Sequence, residues 1–139
     1  MSKKCLIIGS NSFAGSTMVD FLLSRNFEVI GCSRSKEIKN YFLKYKSNKN
    51  YKKFKFYRLG INKNYKKIIT LIKTLKPEYI INYAAQGMVN ESWNNPDHWF
   101  NTNLVSNTKI IEGIKKLKFI KKYINFSTPE VYGNNLTWV

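Results

Sequence analysis

Apolar residues along this chain fall into two alternating patterns: short unbroken runs, and longer stretches where they recur every three or four positions. The runs Cys5 to Ile8, Glu28 to Cys32, Tyr79 to Tyr83 and Tyr123 to Phe126 have the length of single strands, the first of them fully buried, and Phe54 to Leu59 alternates enough for another. Between them the spacing predicts helices. One starts at Phe13, with Phe13, Met18, Phe21 and Leu22 on one face, and stops at Asn26. A second follows Ser35, with Ile38, Tyr41, Phe42 and Tyr45 at helical spacing and a polar loop running on to Lys55. Asn64 caps a third, which turns Ile68, Ile69, Leu71 and Ile72 inward, and Pro77 ends that connection. Ala84 to Asn95 reads as a loop. Asp97 to Leu117 reads as a long helix with Phe100, Leu104, Thr108, Ile111 and Ile114 near one face.

Strands alternating with helices predict an α/β domain: a doubly wound parallel sheet with right-handed crossovers and helices on both faces. Ligands of such sheets sit beyond the carboxyl ends of the strands, where the topology reverses. The turns at Gly9, Ser33, Ala84 and Ser127 would gather on that edge. With 139 residues, no repeat and no linker-like stretch, residues 1–139 are expected to form one domain.

The formal charge of +16 and a pI near 9.9 favour anionic partners: nucleotides, nucleic acid or an acidic membrane. Composition narrows that choice. Arginine occurs only at Arg25, Arg34 and Arg58, and lysine and asparagine are enriched together, as in the codon usage of an AT-rich genome. Tyr41 to Tyr57 interleaves aromatics with lysines, which can stack nucleobases. No nucleic-acid motif accompanies it, so an aromatic helix face packed on the sheet is preferred, and no nucleic-acid partner is expected. Cys5 and Cys32 lie in separate strands and form no disulfide framework, which fits free thiols in a reducing compartment. The first apolar run breaks at Gly9, too short for a signal peptide, and no stretch is long enough to span a bilayer. A soluble, cytoplasmic protein with no membrane partner is expected.

Candidate chemistry begins at Gly9-Ser10-Asn11-Ser12-Phe13-Ala14-Gly15, a turn joining a strand to a helix. Gly9 permits the tight turn, Gly15 lets the helix approach the strand, and free amides near Phe13 face an anion. Ser12 stands where a third glycine would admit a pyrophosphate, and its hydroxyl can donate to a phosphate oxygen instead. Taken alone, the stretch fits dinucleotide binding and an ordinary strand-to-helix turn equally. After the second strand, where an acid would bind the ribose 2′-hydroxyl of NAD, stands Ser33-Arg34-Ser35. A guanidinium between two hydroxyls suits a 2′-phosphate, so NADP is favoured over NAD; the alternative is a solvated turn. His98 is read as structural, and no residues show metal-ligand spacing.

Four segments, in order, carry a family likeness. Gly9, Phe13 and Gly15 are similar to a glycine motif, and Asn82-Tyr83-Ala84-Ala85-Gln86 to a strand-four segment that walls a cofactor. Asn103-Leu104-Val105-Ser106-Asn107-Thr108 is similar to a long-helix signature, with Asn107 where glycine is usual. Ser127-Thr128-Pro129-Glu130-Val131-Tyr132-Gly133 resembles the serine-threonine-x-glutamate turn of nucleotide-sugar 4,6-dehydratases and decarboxylases. The chain thus resembles the amino-terminal part of the extended short-chain dehydrogenases/reductases, in their NAD-dependent epimerase/dehydratase group, of the dTDP-glucose or GDP-mannose dehydratase type.

The resemblance implies a Rossmann-like fold truncated after its fifth strand. It implies NAD(P) bound by Gly9, Ser12, Phe13, Ala14, Gly15, Ser33, Arg34, Ala84, Ala85, Gln86, Asn103 and Ser127. The implied substrate is a nucleotide-diphosphate sugar, and the full-length protein is expected to be a homodimer. In a 4,6-dehydratase of this kind Thr128 would orient the sugar C4 hydroxyl and Glu130 would remove the C5 proton. A 4-epimerase or decarboxylase of the same family, or a non-catalytic dinucleotide-binding module, are the alternatives. The sequence also departs from the family. Gly60 stands where the family often has an acid against the adenine, and Pro129 where dTDP-glucose dehydratases have the aspartate that assists water loss. The family's Tyr-x-x-x-Lys pair lies some tens of residues past the serine-threonine turn, beyond Val139. The chain is therefore expected to be an inactive amino-terminal fragment, with Leu136 to Val139 an unnatural end.

Overall fold

The computed structural model describes residues 2–39 and 42–133, apart from the side chains of Pro129 and Glu130. Tyr41, expected on a helix, and residues 136–139, expected to be an unnatural end, fall outside the described residues. Five parallel strands make one sheet: β1 (Lys4–Ile8), β2 (Glu28–Ser33), β3 (Phe54–Arg58), β4 (Tyr79–Asn82) and β5 (Lys122–Asn125). Their order is β3-β2-β1-β4-β5, so winding reverses between β1 and β4, as expected of a Rossmann-like sheet. Cys5 and Ile7 of β1 enter the core on one face of the sheet, and Leu6 and Ile8 enter the core on the other. Burial on both faces is why the run is continuously apolar rather than alternating.

α1 (Phe13–Ser24) covers the first face, and α2 (Ile61–Leu75) and α5 (Ser106–Ile114) cover the second. The inward stripe of α1 is corrected: Gly15, Val19, Leu22 and Leu23 are buried, whereas Phe13 is 91% and Phe21 49% exposed. Gly15 sets this phase, since a Cβ there would lie 2.3 Å from the Gly9 carbonyl oxygen, and the other three follow at helical spacing.

The β2–β3 connection overturns a second expectation. Among its described residues it holds no α-helix, and 3₁₀ turns stand at Lys44–Ser47 and Tyr51–Lys53, with Ile38 and Phe42 exposed. Asparagine side chains tie the later part of this connection to the neighbouring helix. Asn48 Nδ2 donates to Asp20 Oδ1 (2.7 Å), and Asn50 Nδ2 donates to Leu23 O (2.8 Å). Leu43 and Tyr45 are fully buried, and the Tyr45 ring packs on Phe54 at 4.7 Å while its hydroxyl donates to Glu37 (2.6 Å).

Asn64 does not cap α2 from outside. It sits within the first turn at φ −122°, ψ 18°, and its Oδ1 accepts from the Gly60 N–H (3.0 Å). Ile68 and Ile72 are buried as expected, and Lys76 closes the helix in the left-handed region (φ 48°) before Pro77. The Ala84 to Asn95 loop contains a short helix, α3 (Val89–Asn94). The expected long helix begins as α4 (Pro96–Phe100), passes through a π-helical turn at Asn101–Val105 and continues as α5. A π turn shifts helical phase. The buried stripe of α5 is therefore Ser106, Ile110 and Ile114, and Leu104 and Ile111 are exposed. Among the described residues no helix is long and apolar enough to cross a membrane.

Candidate functional site

The turns beyond the carboxyl ends of β1 to β4 enclose a cleft of about 850 Å³. Its floor is the β1–α1 turn. Gly9 has φ +85°, and a Cβ there would lie 2.8 Å from the Ala84 nitrogen, so both backbone conformation and space require glycine. Gly9 and Ser10 N–H both donate to Cys32 O (2.7 and 3.1 Å), and Asn11 N–H donates to Ser33 Oγ (2.9 Å). Asn11 Nδ2 reaches on to Lys36 O (2.9 Å) and Ser35 O (3.2 Å). Asn11, which motif reading passes over, thereby fixes the glycine turn against the Ser33–Ser35 turn. Its partners lie more than twenty residues away, and no local signal marks them.

Ser12 caps α1, its Oγ accepting from Gly15 N–H (3.0 Å). The hydroxyl proton is left for an oxyanion. Helix geometry leaves the Phe13 and Ala14 amides without intrahelical acceptors, at the positive end of the helix dipole. Ser33 is buried and its oxygen is engaged by Asn11, whereas Arg34 is exposed at the rim. Arg58 also lines the cleft, and its Nε donates to Arg34 O (3.4 Å). Sequence reasoning missed Arg58, because only the parallel register, pairing Ser33 with Arg58, brings it there. A Cβ at Gly60 would lie 2.9 Å from the Arg34 Cβ, so the acid absent at that position would crowd Arg34.

Ala84 and Ala85 form part of the opposite wall. Gln86 N–H donates to Asn103 Oδ1 (2.8 Å) and Asn103 Nδ2 donates to Gln86 O (2.9 Å), so Asn103 holds this loop rather than lining the cleft. Beneath it Asn82, 1% exposed, ties three elements together. Its Nδ2 donates to Asn107 Oδ1 (2.6 Å) and Asn125 Oδ1 (2.8 Å), and its Oδ1 accepts from Ala84 N–H (3.0 Å). Ser127 and Thr128 leave β5 on the same edge, exposed and outside the cleft lining. Phe126 N–H donates to Asn82 O (2.9 Å) and its ring lies 4.1 Å from that of Tyr83, which sets this exit beside the cleft wall. The Glu130 side chain lies outside what the structure describes.

Of the residues chosen from sequence, Gly9, Ser12, Ser33, Arg34, Ala84 and Ala85 meet around the one cleft, with Phe13, Ala14 and Gly15 on the helix that opens onto it. Burial pushes the Cys32 thiol, at the cleft, up to about 12, so it stays neutral and cannot serve as a nucleophile at neutral pH. Asn11 Oδ1 is buried, has no hydrogen-bond partner among the described residues and belongs to a cleft residue, an acceptor suited to a ligand hydroxyl. The cleft can therefore seat an anion at α1 and a second group beside Arg34.

The profile of the family described as GDP-mannose 4,6 dehydratase matches residues 6–137. The GDP-mannose 4,6-dehydratase of Yersinia enterocolitica is 26% identical over 94% of this chain and 37% of its own length. The UDP-glucose 4-epimerase of Thermotoga maritima, solved with UDP-glucose, superposes with a TM-score of 0.77 at 28% identity, covering 97% of this chain and 41% of that one. The UDP-glucose 4-epimerase of Bifidobacterium longum, solved with NAD+ and UDP, gives 0.79 at 22% identity, covering 94% and 38%. The chain spans about 40% of the length of the curated relatives it matches throughout. With the profile, the strand order and the four motifs in agreement, this chain belongs to the GDP-mannose 4,6 dehydratase family.

Proposed function

We propose that this chain is the cofactor-binding part of an NAD(P)-dependent nucleotide-sugar 4,6-dehydratase that prefers NADP to NAD. One observation carries this reading: the glycine turn, the Ser33–Arg34 turn and the Ala84–Ala85 loop meet around a single cleft, with the Ser127–Thr128 turn leaving the next strand. The NAD+ of one solved epimerase supports a nicotinamide dinucleotide here, and the UDP-glucose of the other supports a nucleotide-sugar substrate.

A nicotinamide dinucleotide, when bound, supplies the hydride acceptor for sugar C4 and the donor that completes the reaction. The residues of the chain do the rest. Phe13 and Ala14 amides and the Ser12 hydroxyl hold the pyrophosphate, Arg34 takes a 2′-phosphate, and Ala84 and Ala85 leave room beside the wall. Thr128 hydrogen-bonds the C4 hydroxyl and orients it, while its proton goes to the tyrosine of the family's Tyr-x-x-x-Lys pair in the whole protein. A ketone at C4 acidifies the C5 proton, and Glu130 removes it as general base. A carboxylate suits that step, being ionised at neutral pH and open to tuning by burial.

The second reading, a nucleotide-sugar 4-epimerase, rests on Pro129, which offers no acid for the departing water. Glu130→Gln in the full-length protein separates the two. It should spare cofactor binding and C4 oxidation but slow elimination by roughly 10²–10⁴-fold, the usual loss for a general base. Reduced dinucleotide should then accumulate, visible by its absorbance, without deoxysugar. A normal rate of 6-deoxy product would remove Glu130 from the mechanism. Epimer formation without loss of water by the unmodified enzyme would establish the second reading.

A further inference from the structure

Asn107 stands where the resembled helix signature has glycine, so its side chain is one that signature does without. It lies half-buried near the start of α5, and both ends of its amide are engaged. Its Oδ1 accepts from Asn82 Nδ2 (2.6 Å), and its Nδ2 donates to Asn103 O (2.9 Å). Each of these partners holds a different end of the loop that follows β4. Asn82 gives the protons of its amide nitrogen to Asn107 and Asn125, which leaves its Oδ1 turned to the Ala84 N–H (3.0 Å). Asn103, in the π turn, holds Gln86 by its N–H (2.8 Å) and by its carbonyl (2.9 Å). One side chain therefore reaches the loop through Ala84 and again through Gln86, with Ala85 between them.

That loop walls the cleft on the β4 side. The α1 amides lie where the winding reverses between β1 and β4, so a dinucleotide with its pyrophosphate there extends one half toward β2 and the other toward β4. The half toward β4 meets Ala84 and Ala85, whose methyl groups offer no polar hold, and the fit is set by where the backbone stands. We propose that Asn107 is a positioning residue for the nicotinamide half of the cofactor, fixing the Ala84–Gln86 wall from both ends. This rests on the reading that the cleft binds a nicotinamide dinucleotide with its adenosine on the Arg34 side. Losing the Asn107 amide frees a proton of Asn82 and loosens Asn103 at once, and the wall gives way. The β1–α1 turn and the Ser33–Ser35 turn are bonded to each other through Asn11 and stay in place.

The test is calorimetric titration of the purified chain with NADP and with 2′,5′-ADP, which keeps the adenosine end and lacks the nicotinamide. Circular dichroism checks that each variant folds, and the unmodified chain should bind both ligands. Asn107→Ala should weaken NADP by roughly three- to ten-fold, the scale of one or two neutral hydrogen bonds, and leave 2′,5′-ADP unchanged. The fluorescence of bound NADPH, which reports how firmly the dihydronicotinamide ring is held, should fall toward that of the free cofactor. Asn125→Ala takes the other acceptor from Asn82 but no tie to Asn103, so it should weaken NADP less. Asn103→Ala opens the Gln86 end alone and should show the same split between the ligands even if Asn107→Ala does not fold. Equal losses for NADP and 2′,5′-ADP, unchanged NADP binding, or an effect of Asn125→Ala as large as that of Asn107→Ala would overturn the proposal while leaving dinucleotide binding intact. Binding of neither ligand by the folded, unmodified chain would overturn the proposal and the underlying reading together.

Discussion

Gly15 shows how little freedom single positions have at this edge. The contact its Cβ would make, 2.3 Å from the Gly9 carbonyl, is with backbone, which cannot swing aside as a side-chain tip would. Gly15→Val should force α1 off β1 and cost about 1–3 kcal/mol, the usual range for overpacking. The displaced Phe13 and Ala14 amides should lose the dinucleotide. Chemical denaturation gives the first quantity and calorimetry the second; unchanged affinity in a folded Gly15→Val protein would remove this turn from the site. Gly9, Ser12 and Gly15 were legible because a strand–turn–helix motif specifies them locally, and Arg34 because it stands just past the end of β2. Asn11 and Arg58 were not, since their partners are set by the pairing of β1, β2 and β3.

At the scale of elements, the Asn82 network joins β4, α5 and β5. Asn107, standing where the resembled family has glycine, gives the Asn82 amide one of its two acceptors and donates to Asn103 O (2.9 Å). Asn107→Ala should leave a buried donor without that acceptor, costing about 1–3 kcal/mol. Hydrogen exchange should quicken at the Ala84 and Gln86 amides while those of β1 and β2 stay protected. Uniform loss of protection, or none, would mean that the network does not hold this loop. The same scale explains what the sequence left unread. The central strands β1, β2 and β4 announced themselves as apolar runs, because burial on both faces admits little else, whereas β3 showed itself by alternation. The β2–β3 connection misled because Ile38, Phe42 and Tyr45 share a helical spacing, yet of the three only Tyr45 is buried. The phase of α5 was hidden by a π turn, which leaves no mark on an apolar pattern.

Across the whole molecule, the central strands divide two cores, and each holds one cysteine: Cys5 on the α1 side and Cys32 on the α2 and α5 side. Burial pushes both thiols up to about 12, so neither should react with a thiol reagent at pH 8 while the fold is intact. Labelling should follow unfolding in denaturant at both sites together; rapid labelling of the native protein at either would mean that its core is open. The central claim concerns the edge where those cores end, that the cleft binds a nicotinamide dinucleotide at the amino terminus of α1. The most direct measurement is an NADP titration of the isotope-labelled chain, followed by its amide nuclear magnetic resonances. Saturable shifts should be largest at Phe13, Ala14 and Gly15, with smaller ones at Ser33 and Arg34, and the far ends of the strands should be silent. No saturable shift, or shifts centred away from the β1–α1 turn, would contradict the account.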